Sequence, residues 1–242
     1  MTTFSRRTLL QAIAAAVVAA TELPDAAAGT LTRHRPLGFG PIGEVTILPR
    51  TDNQLALTVD DGISVEVVSA YAQFCRDSGA RLTFFANGLN ESWTVNAQQL
   101  RPLVDSGQIQ MANHTWSHPD VTRLSAYDVA EQIGRNAEFL HNAYGVDGTP
   151  YFRPPYGSHN HETDRIAADL GYSSIVLWSS SIGDSRMLPE SELIANAENC
   201  FEPGQIVLAH ANLPPVTHCY ARLIDIIHSR GLRTVTLQEA FG

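Results

Sequence analysis

Short apolar runs alternate with helical patterns along most of this chain, and that alternation limits the folds open to it. Runs typical of buried strands lie at residues 44–48, 55–60, 81–86, 108–112, 174–178, 205–209 and 232–236. Helical periodicity appears at residues 64–78, 96–105, 125–143, 161–170, 190–199 and 219–230. Strands that alternate with helices predict a parallel α/β sheet, either doubly wound or closed as a barrel. Because no repeat or linker interrupts residues 43–242, we expect a single domain.

The N-terminal residues have the features of an export signal. Arg6 and Arg7 precede an apolar run too short for a comfortable membrane span, and small residues at 26–28 fit a cleavage site. The start is similar to a twin-arginine signal, with an ordinary secretory signal or an uncleaved anchor as alternatives. We expect residues 1–28 to be the signal, residues 29–42 a lead-in segment and residues 43–242 the folded domain. The mature protein would be secreted or associated with a bacterial cell envelope, with no stable membrane span.

Composition argues against two other classes of protein. The formal net charge is −9, and the chain has arginine but no lysine. An acidic chain without a basic run is a poor match for nucleic acid or anionic membranes. Cys75, Cys200 and Cys219 are too few for a disulfide framework. We expect buried thiols, or at most one bridge between Cys200 and Cys219.

Polar residues follow the predicted strands, at Asp60, Asp61, Asn87, His114, Asp184 and His210. In parallel α/β folds the carboxyl ends of the strands open onto one face, where active sites are built. An Asp-Gly turn would explain Asp60 and Asp61 equally well if they stood alone. The repeated occurrence of polar residues at the strand ends favours a site that they share.

The segment HTWSH suggests two metal ligands. His114 and His118 are four positions apart, so on a helical turn both imidazoles would face the same way and could bind one divalent ion. The third ligand would be a carboxylate at a neighbouring strand end, either Asp60 or Asp61. Because the chain has nine histidines, two of them can lie four positions apart by chance. The pairs His210/His218 and His159/His161 are competing candidates for the histidine ligands.

Four segments in order are similar to four of the five motifs of the NodB-homology polysaccharide deacetylases, the family 4 carbohydrate esterases. They are TVDDG (58–62), HTWSH (114–118), RPPYG (153–157) and IVLAH (206–210), and the resemblance covers about residues 50–240. The resemblance implies a distorted (β/α) barrel with fewer than eight regular units. It also implies a divalent metal, usually zinc, with cobalt, manganese or iron(II) as alternatives.

The resemblance assigns a role to each matching residue. It implies that Asp61, His114 and His118 bind the metal, that Asp60 is the catalytic base and that Arg153 pairs with and orients this base. It further implies that His210 is the catalytic acid, that Leu208 lines the acetyl pocket and that the backbone N–H of Tyr156 is an oxyanion donor.

The fifth motif departs from the family pattern D-x-x-D-W. Asp184 can fill the second aspartate, which tunes the acid histidine, but Ser181 replaces the first aspartate and Ser185 the tryptophan. Loss of the tryptophan removes an apolar wall near His210. The pKa of His210 and the fit of the sugar are the properties this change affects.

These residues predict a secreted hydrolase that removes N-acetyl groups from GlcNAc-type cell-surface polysaccharide, peptidoglycan or chitin-like, by a metal-activated water. One alternative is an O-acetyl esterase on acetylxylan or other acetylated glycans, because an ester needs less protonation of its leaving group than an amide. Another is a carbohydrate-binding protein with little catalysis, although such a protein would not need a complete set of ligands, base and acid.

Export provides a first test. If residues 1–28 are a cleaved signal, the mature protein begins near Gly29 and is found outside the cytoplasm. N-terminal sequencing of protein from cell fractions measures this. Recovery of most of the protein in the cytoplasm with Met1 or Thr2 at its N-terminus would contradict it.

Overall fold

The computed structural model describes residues 40–49 and 53–242, and in this part of the chain strands and helices alternate. The strands are β1 (Gly43–Val45), β2 (Gln54–Asp61), β3 (Leu82–Ala86), β4 (Ile109–Asn113), β5 (Tyr151–Phe152), β6 (Ser174–Val176), β7 (Ser180–Ser181), β8 (Ile206–His210) and β9 (Arg233–Thr234). The helices are α1 (Val65–Ser78), α2 (Ser92–Val95), α3 (Ala97–Asp105), α4 (Ala126–Tyr144), α5 (His161–Asp169), α6 (Glu190–Cys200), α7 (Tyr220–Ser229) and α8 (Leu237–Phe241). The signal, and the lead-in segment up to residue 39, lie outside the described residues.

The strands form one parallel sheet in the order β1-β6-β5-β4-β3-β2-β8-β7, with β9 beside the start of β2. The chain after β1 reaches the start of β8. Ile47 forms an antiparallel bridge with Gln205, and the N–H of Leu48 donates to the carbonyl oxygen of Gly204 at 2.8 Å. The sheet is therefore curled. This confirms the expected distorted (β/α) barrel in a single α/β domain.

Alternation along β2 divides the core into two layers. Leu57 and Val59 pack with residues of α1, α3 and α7 on the outer side of the sheet. Ala56 packs with Ile206 in a separate cluster inside the curl. Side chains alternate along a strand, so Asp60 shares the inner side with Ala56. The same strand thus contributes to the packing under the helices and directs a carboxylate to the interior.

The long elements agree with the sequence-based expectations within one or two residues, and four of the very short ones were missed. Helix α1 begins where Ser64 accepts a hydrogen bond from the N–H of Val67, and it ends at Gly79, whose φ is 72°. The four missed elements, β5, β7, α2 and α8, have two to five residues each, which is too short for a periodic pattern. The predicted strands at 44–48, 174–178 and 232–236 are shorter in the structure.

Two further observations bear on the expectations. The three cysteines are buried free thiols, so no bridge joins Cys200 to Cys219. Within residues 40–49 and 53–242, no helix combines the length and hydropathy needed to cross a membrane.

Gly62 closes the turn after β2, and we expect its substitution to be costly. Its φ is 81°, and a Cβ there would lie 2.3 Å from the ring of the fully buried Trp93. Gly62→Ala should lower the free energy of unfolding by about 1–2 kcal/mol for the left-handed backbone and by a further ~1–3 kcal/mol for overpacking. Urea denaturation measures this loss.

Gly79→Ala is the matched control, because Gly79 has a φ of 72° and nothing lies within 4 Å of its added Cβ. It should show only the backbone cost. Equal losses in the two variants would contradict the proposed packing of Trp93 against the turn.

Candidate active site

Strand register brings the sequence-predicted residues to one edge of the sheet. Asp60 pairs with His210 across β2 and β8, and Asp61 pairs with Ala86 across β2 and β3. Beyond these, Ala86 pairs with Asn113, which in turn pairs with Phe152. Since all of these strands are parallel, the residues that follow them emerge together at the carboxyl edge.

The two aspartates at the end of β2 face the same cluster, although neighbouring side chains of an extended strand point to opposite sides. Asp60 Oδ2 lies 3.7 Å from His114 Nε2, and Asp61 Oδ1 lies 3.4 Å from the same nitrogen. Asp61 has a φ of 69°, so the extended conformation that imposes alternation ends at this residue. Left-handed backbone is unfavourable for a non-glycine residue and persists only where its surroundings impose it.

Contacts from the segment after β3 and from the loop after β8 stabilise this conformation of Asp61. Its carbonyl oxygen accepts hydrogen bonds from Trp93 Nε1 at 2.8 Å and from Asn90 Nδ2 at 3.0 Å. On its side chain, Oδ2 accepts a hydrogen bond from Asn212 Nδ2 at 2.7 Å. The aspartate is held through both its backbone and its carboxylate.

The two histidines converge through an irregular loop, so the expected helical turn is wrong. Thr115 and His118 have φ values of 69° and 60°, outside the helical range. Asn87, which is buried, donates its side-chain amide to the carbonyl oxygens of His114 and Thr115. The His118 N–H donates to Thr115 Oγ1 at 3.1 Å. Side-chain hydrogen bonds thus replace the helical ladder and bring the ring centroids of the two histidines to 4.9 Å.

Asp61, His114 and His118 form the one group that could hold a metal among the described residues. Asp61 Oδ1 is 3.4 Å from His114 Nε2 and 3.3 Å from His118 Nε2. These distances are close to the ligand-to-ligand distances in a tetrahedral site whose ligands lie ~2.0–2.1 Å from the metal. This oxygen is inaccessible to solvent and has no hydrogen-bond partner. His114 Nδ1 lies 2.6 Å from the carbonyl oxygen of Arg153, to which it can only donate, so its Nε2 carries the lone pair. These features fit a divalent ion.

The electrostatics of the three residues differ. Burial opposes ionisation of Asp61, but His114, His118 and Asn212 outweigh it and hold the pKa of this carboxyl far below its usual range. Burial also lowers the pKa of His114, yet Asp60 and Asp61 raise it overall. Burial and the neighbouring His114 lower the pKa of His118. A metal would therefore meet an ionised aspartate and a neutral His118, and would compete with a proton at His114.

The competing histidine pairs have other partners. His159 Nδ1 is 3.0 Å from Asp164, and His218 Nδ1 is 2.8 Å from Glu190. Neither of these two histidines belongs to the group that could hold a metal.

Arg153 is fully buried and ion-paired with Asp60. Its Nη1 donates to Asp60 Oδ1 at 2.7 Å and to Thr58 Oγ1 at 2.8 Å. Its Nε and Nη2 donate to the carbonyl oxygens of Val176 and Leu177. A buried guanidinium is tolerated when its hydrogens are matched in this way. The pair fixes Oδ1 of Asp60 and leaves Oδ2 on the side of the cluster.

Asp184 holds His210 at two points. Its Oδ1 lies 2.9 Å from His210 Nδ1, and its Oδ2 accepts the backbone N–H of His210 at 2.9 Å. Burial lowers the pKa of His210, but the hydrogen bond with Asp184 and the charges of Asp60 and Asp61 outweigh it, and the pKa is raised. The imidazolium of His210 therefore persists to higher pH than that of an ordinary histidine.

The fifth motif, which departs from the family pattern at Ser181 and Ser185, forms a turn at Ser181. Ser181 Oγ accepts the N–H of Gly183 at 3.0 Å, which is a serine equivalent of the turn an aspartate forms. Ser185, at the position of the tryptophan, is exposed, as is Met187 beyond it. Asp184 thus keeps its support, while no aromatic wall follows it.

Tyr156 contacts His118, and Leu208 lies two residues before His210 on β8. Tyr156 has a φ of 61°, and its ring packs on that of His118 with centroids 4.5 Å apart. Leu208 is buried in β8 opposite Thr58, two residues before His210 and on the same side of the strand. The roles implied for these two residues stay predictions.

Sequence reasoning missed three residues that contact Asp61, namely Asn90, Trp93 and Asn212. Asn90 and Asn212 lie in loops and Trp93 in the short helix α2, none of them in a motif, and only their proximity to strand ends could have indicated them. Asn87 was noted as a strand-end residue, but its contacts with the histidine loop were not foreseen.

Comparison with known proteins identifies the family. A family model described as polysaccharide deacetylase matches residues 48–175, which include Asp60, Asp61, His114, His118 and Arg153. The chain therefore belongs to the polysaccharide deacetylase family, of NodB homology, and is a hydrolase of that class.

Individual relatives agree with this. A peptidoglycan-N-acetylglucosamine deacetylase of Bacillus cereus is 25% identical over 80% of this chain and 70% of its own length. The chitin deacetylase of Colletotrichum lindemuthianum is 25% identical, with a TM-score of 0.74 over 84% of this chain and 93% of that one. A CE4 family pseudoenzyme from Bacillus anthracis shares the fold at 20% identity and a TM-score of 0.73, over 84% of this chain and 70% of that one.

Asp184→Asn should shift the pH dependence of activity if His210 acts as an acid. An acid must be protonated, so activity is lost as pH rises through the pKa of His210, which Asp184 helps to raise. Replacing the carboxylate with an amide lowers that pKa and moves the alkaline limb of kcat/KM to lower pH. A pH profile measures the shift, with Asp164→Asn as the control because Asp164 contacts His159 instead. An unmoved alkaline limb would contradict the assignment.

Proposed function

We propose that this protein hydrolyses N-acetyl groups of a GlcNAc-type polysaccharide, peptidoglycan or chitin-like, with a divalent metal held by Asp61, His114 and His118. One observation carries the proposal. A buried carboxylate oxygen without a hydrogen-bond partner lies 3.3–3.4 Å from two imidazole nitrogens, beside a second aspartate fixed by a buried arginine. Names of relatives supply the substrate class, since they include peptidoglycan and chitin deacetylases.

Zinc suits this donor set best, since one carboxylate and two imidazoles are the ligands of many catalytic zinc sites. Cobalt, manganese and iron(II) are alternatives that accept the same donors. When bound, such an ion supplies Lewis-acid polarisation of the acetyl carbonyl and lowers the pKa of a water. The remaining chemistry falls to the chain's own residues.

Asp60 is the proposed base. Its Oδ1 is held by Arg153 at 2.7 Å, so Oδ2, 3.7 Å from His114 Nε2, remains to take the proton of an attacking water. Arg153 orients the carboxylate through this hydrogen bond. Its own main-chain carbonyl orients His114, so one residue positions the base and a proposed ligand.

His210 is the proposed acid, which would donate its proton to the departing amine. Asp184 supports the charged imidazolium through Nδ1, which leaves Nε2 to reach the substrate. The N–H of Tyr156 would stabilise the oxyanion, and Leu208 would line the acetyl pocket. An oxyanion donor of this kind typically contributes about 10²–10³ in rate.

A single observation favours O-acetyl esterase activity as a second candidate. The exposed Ser185 at the position of the tryptophan leaves the acid side of the site open. An alkoxide leaves more readily than the anion of an amine, so ester hydrolysis depends less than amide hydrolysis on protonation of the leaving group and tolerates a less enclosed acid. Acetylxylan or another acetylated glycan would then be the substrate.

Product analysis separates these functions. Purified protein is incubated with peptidoglycan, chitin oligomers and acetylxylan, and released acetate and new free amines are measured, with and without a chelator. Equal amounts of both products, lost on metal removal, support the proposed function. Acetate without amine indicates the esterase, and neither product on any substrate indicates a binding protein.

Export completes the proposal. Residues 1–28 would direct the protein out of the cytoplasm, residues 29–42 would lead into the fold, and residues 43–242 would be the catalytic domain. A polysaccharide of the cell surface is reached only from outside the cytoplasm, so location and substrate agree.

The two aspartates should fail differently when changed. Asp61→Asn removes a charged ligand, so bound zinc and activity should fall together. Asp60→Asn keeps an oxygen that can accept from Arg153, and it leaves the metal ligands unchanged. An amide cannot abstract a proton, so turnover should drop by roughly 10²–10⁴ with zinc retained. Zinc content and deacetylation rate of each variant are the measurements.

Each variant is the control of the other. If Asp60→Asn loses zinc while Asp61→Asn keeps it, the two roles are exchanged. If both variants remain active, the pair serves only as a turn.

A further inference from the structure

Asn212 lies on the loop that leaves β8, and this loop runs beside the turn that ends β2. Two backbone hydrogen bonds join the loops, from Ala211 N–H to the carbonyl oxygen of Asp60 at 3.0 Å and from Ser64 N–H to that of Ala211 at 3.2 Å. The pairing of β2 with β8 therefore places Asn212 next to Asp61.

The side-chain amide of Asn212 is engaged at both ends, and its partners determine its orientation. The backbone N–H of Ile63 can only donate, so the atom 3.1 Å from it is the carbonyl Oδ1 of Asn212. The amino group Nδ2 consequently faces Asp61 Oδ2 at 2.7 Å and donates to it. The flipped amide would set donor against donor and acceptor against acceptor, so only one orientation satisfies both contacts.

This contact separates the two oxygens of Asp61. Oδ2 is occupied by Asn212, whereas Oδ1 is buried, has no hydrogen-bond partner and lies 3.4 Å and 3.3 Å from the Nε2 atoms of His114 and His118. The terminal torsion of an aspartate is broad. Without Asn212, the carboxylate could rotate so that both of its oxygens, or neither, face the histidines.

We propose that Asn212 is a positioning residue that commits Asp61 to bind metal through Oδ1 alone. This role rests on the proposed metal centre and extends it beyond the segment IVLAH (206–210). Residues that orient a metal ligand from behind typically change metal affinity by about 10–100-fold when removed.

The test measures metal binding rather than turnover. Full-length Asn212→Ala is titrated with zinc against a competing chelator, and we expect its zinc affinity to be lower by about 10–100-fold. Asn196→Ala is the matched control, since Asn196 is also partly buried and donates its amide to a backbone carbonyl, that of Ile182, at 3.0 Å. It should bind zinc as the wild type does.

Asn212→Asp distinguishes positioning from a merely structural role. It keeps the size of the side chain and an acceptor for the N–H of Ile63, but it has no amino group for Asp61. With cobalt(II) as the probe, we expect a visible spectrum different from that of the wild type in both Asn212 variants, because the released Oδ2 can join the coordination shell. Asn196→Ala should keep the wild-type spectrum.

The outcomes separate this role from the metal centre itself. Unchanged zinc affinity in Asn212→Ala, or recovery of wild-type affinity and cobalt spectrum in Asn212→Asp, would overturn the role of Asn212 and leave the centre intact. A wild-type protein that binds neither zinc nor cobalt would overturn the proposed centre, and the role of Asn212 with it.

Discussion

The buried guanidinium of Arg153 is the contact on which the arrangement of this site depends. Its side chain connects Asp60 and Thr58 of β2 to the main chain at Val176 and Leu177, at the end of β6. Its backbone takes part as well, because its N–H donates to the carbonyl oxygen of Asn113 and its carbonyl oxygen accepts from His114. Three strands of the sheet and two segments of the candidate site thus converge on one residue. Removing either partner of the Arg153–Asp60 pair would leave a buried charge, which is far more costly than never having formed the pair.

Much of the fold and of the candidate site could be predicted from the sequence, for a definite physical reason. A parallel sheet collects its strand ends along one edge, so a polar residue after each strand is a reliable indication of position even without coordinates. Asp60, His114 and His210 were located in this way. The geometry between them was not predictable, because it depends on left-handed backbone at Asp61 and His118. No pattern of residue types announces such a conformation in a non-glycine residue. It is imposed by distant groups such as Trp93.

The fifth motif forms a turn even though Ser181 stands where the family pattern has an aspartate. The side-chain hydroxyl of Ser181 accepts the Gly183 N–H, in a turn of the kind that an aspartate can also form, and Asp184 directly after this turn contacts His210. The exposed Ser185 has no such substitute. The fold is shared with a pseudoenzyme of the family, so the architecture by itself does not guarantee activity. What favours catalysis here is that the proposed base, the proposed acid and the proposed metal ligands lie in mutually compatible positions.

The pairing of β2 with β8 has a consequence for how the chain folds during its synthesis. Thr58 Oγ1 donates to the carbonyl oxygen of Val207, a contact that spans 149 positions of the chain. The central strand therefore has an unpaired edge until residues beyond 205 have been synthesised. Folds dominated by such distant pairings form slowly, because chain entropy is lost before the contacts compensate for it. A nascent chain released from the ribosome only in part would carry the aspartates and histidines, but not the strand that brings Asn212 and His210 to them. Catalytic competence should therefore appear late and all at once during folding, and a protease that acts on the growing chain would find it in its most vulnerable state.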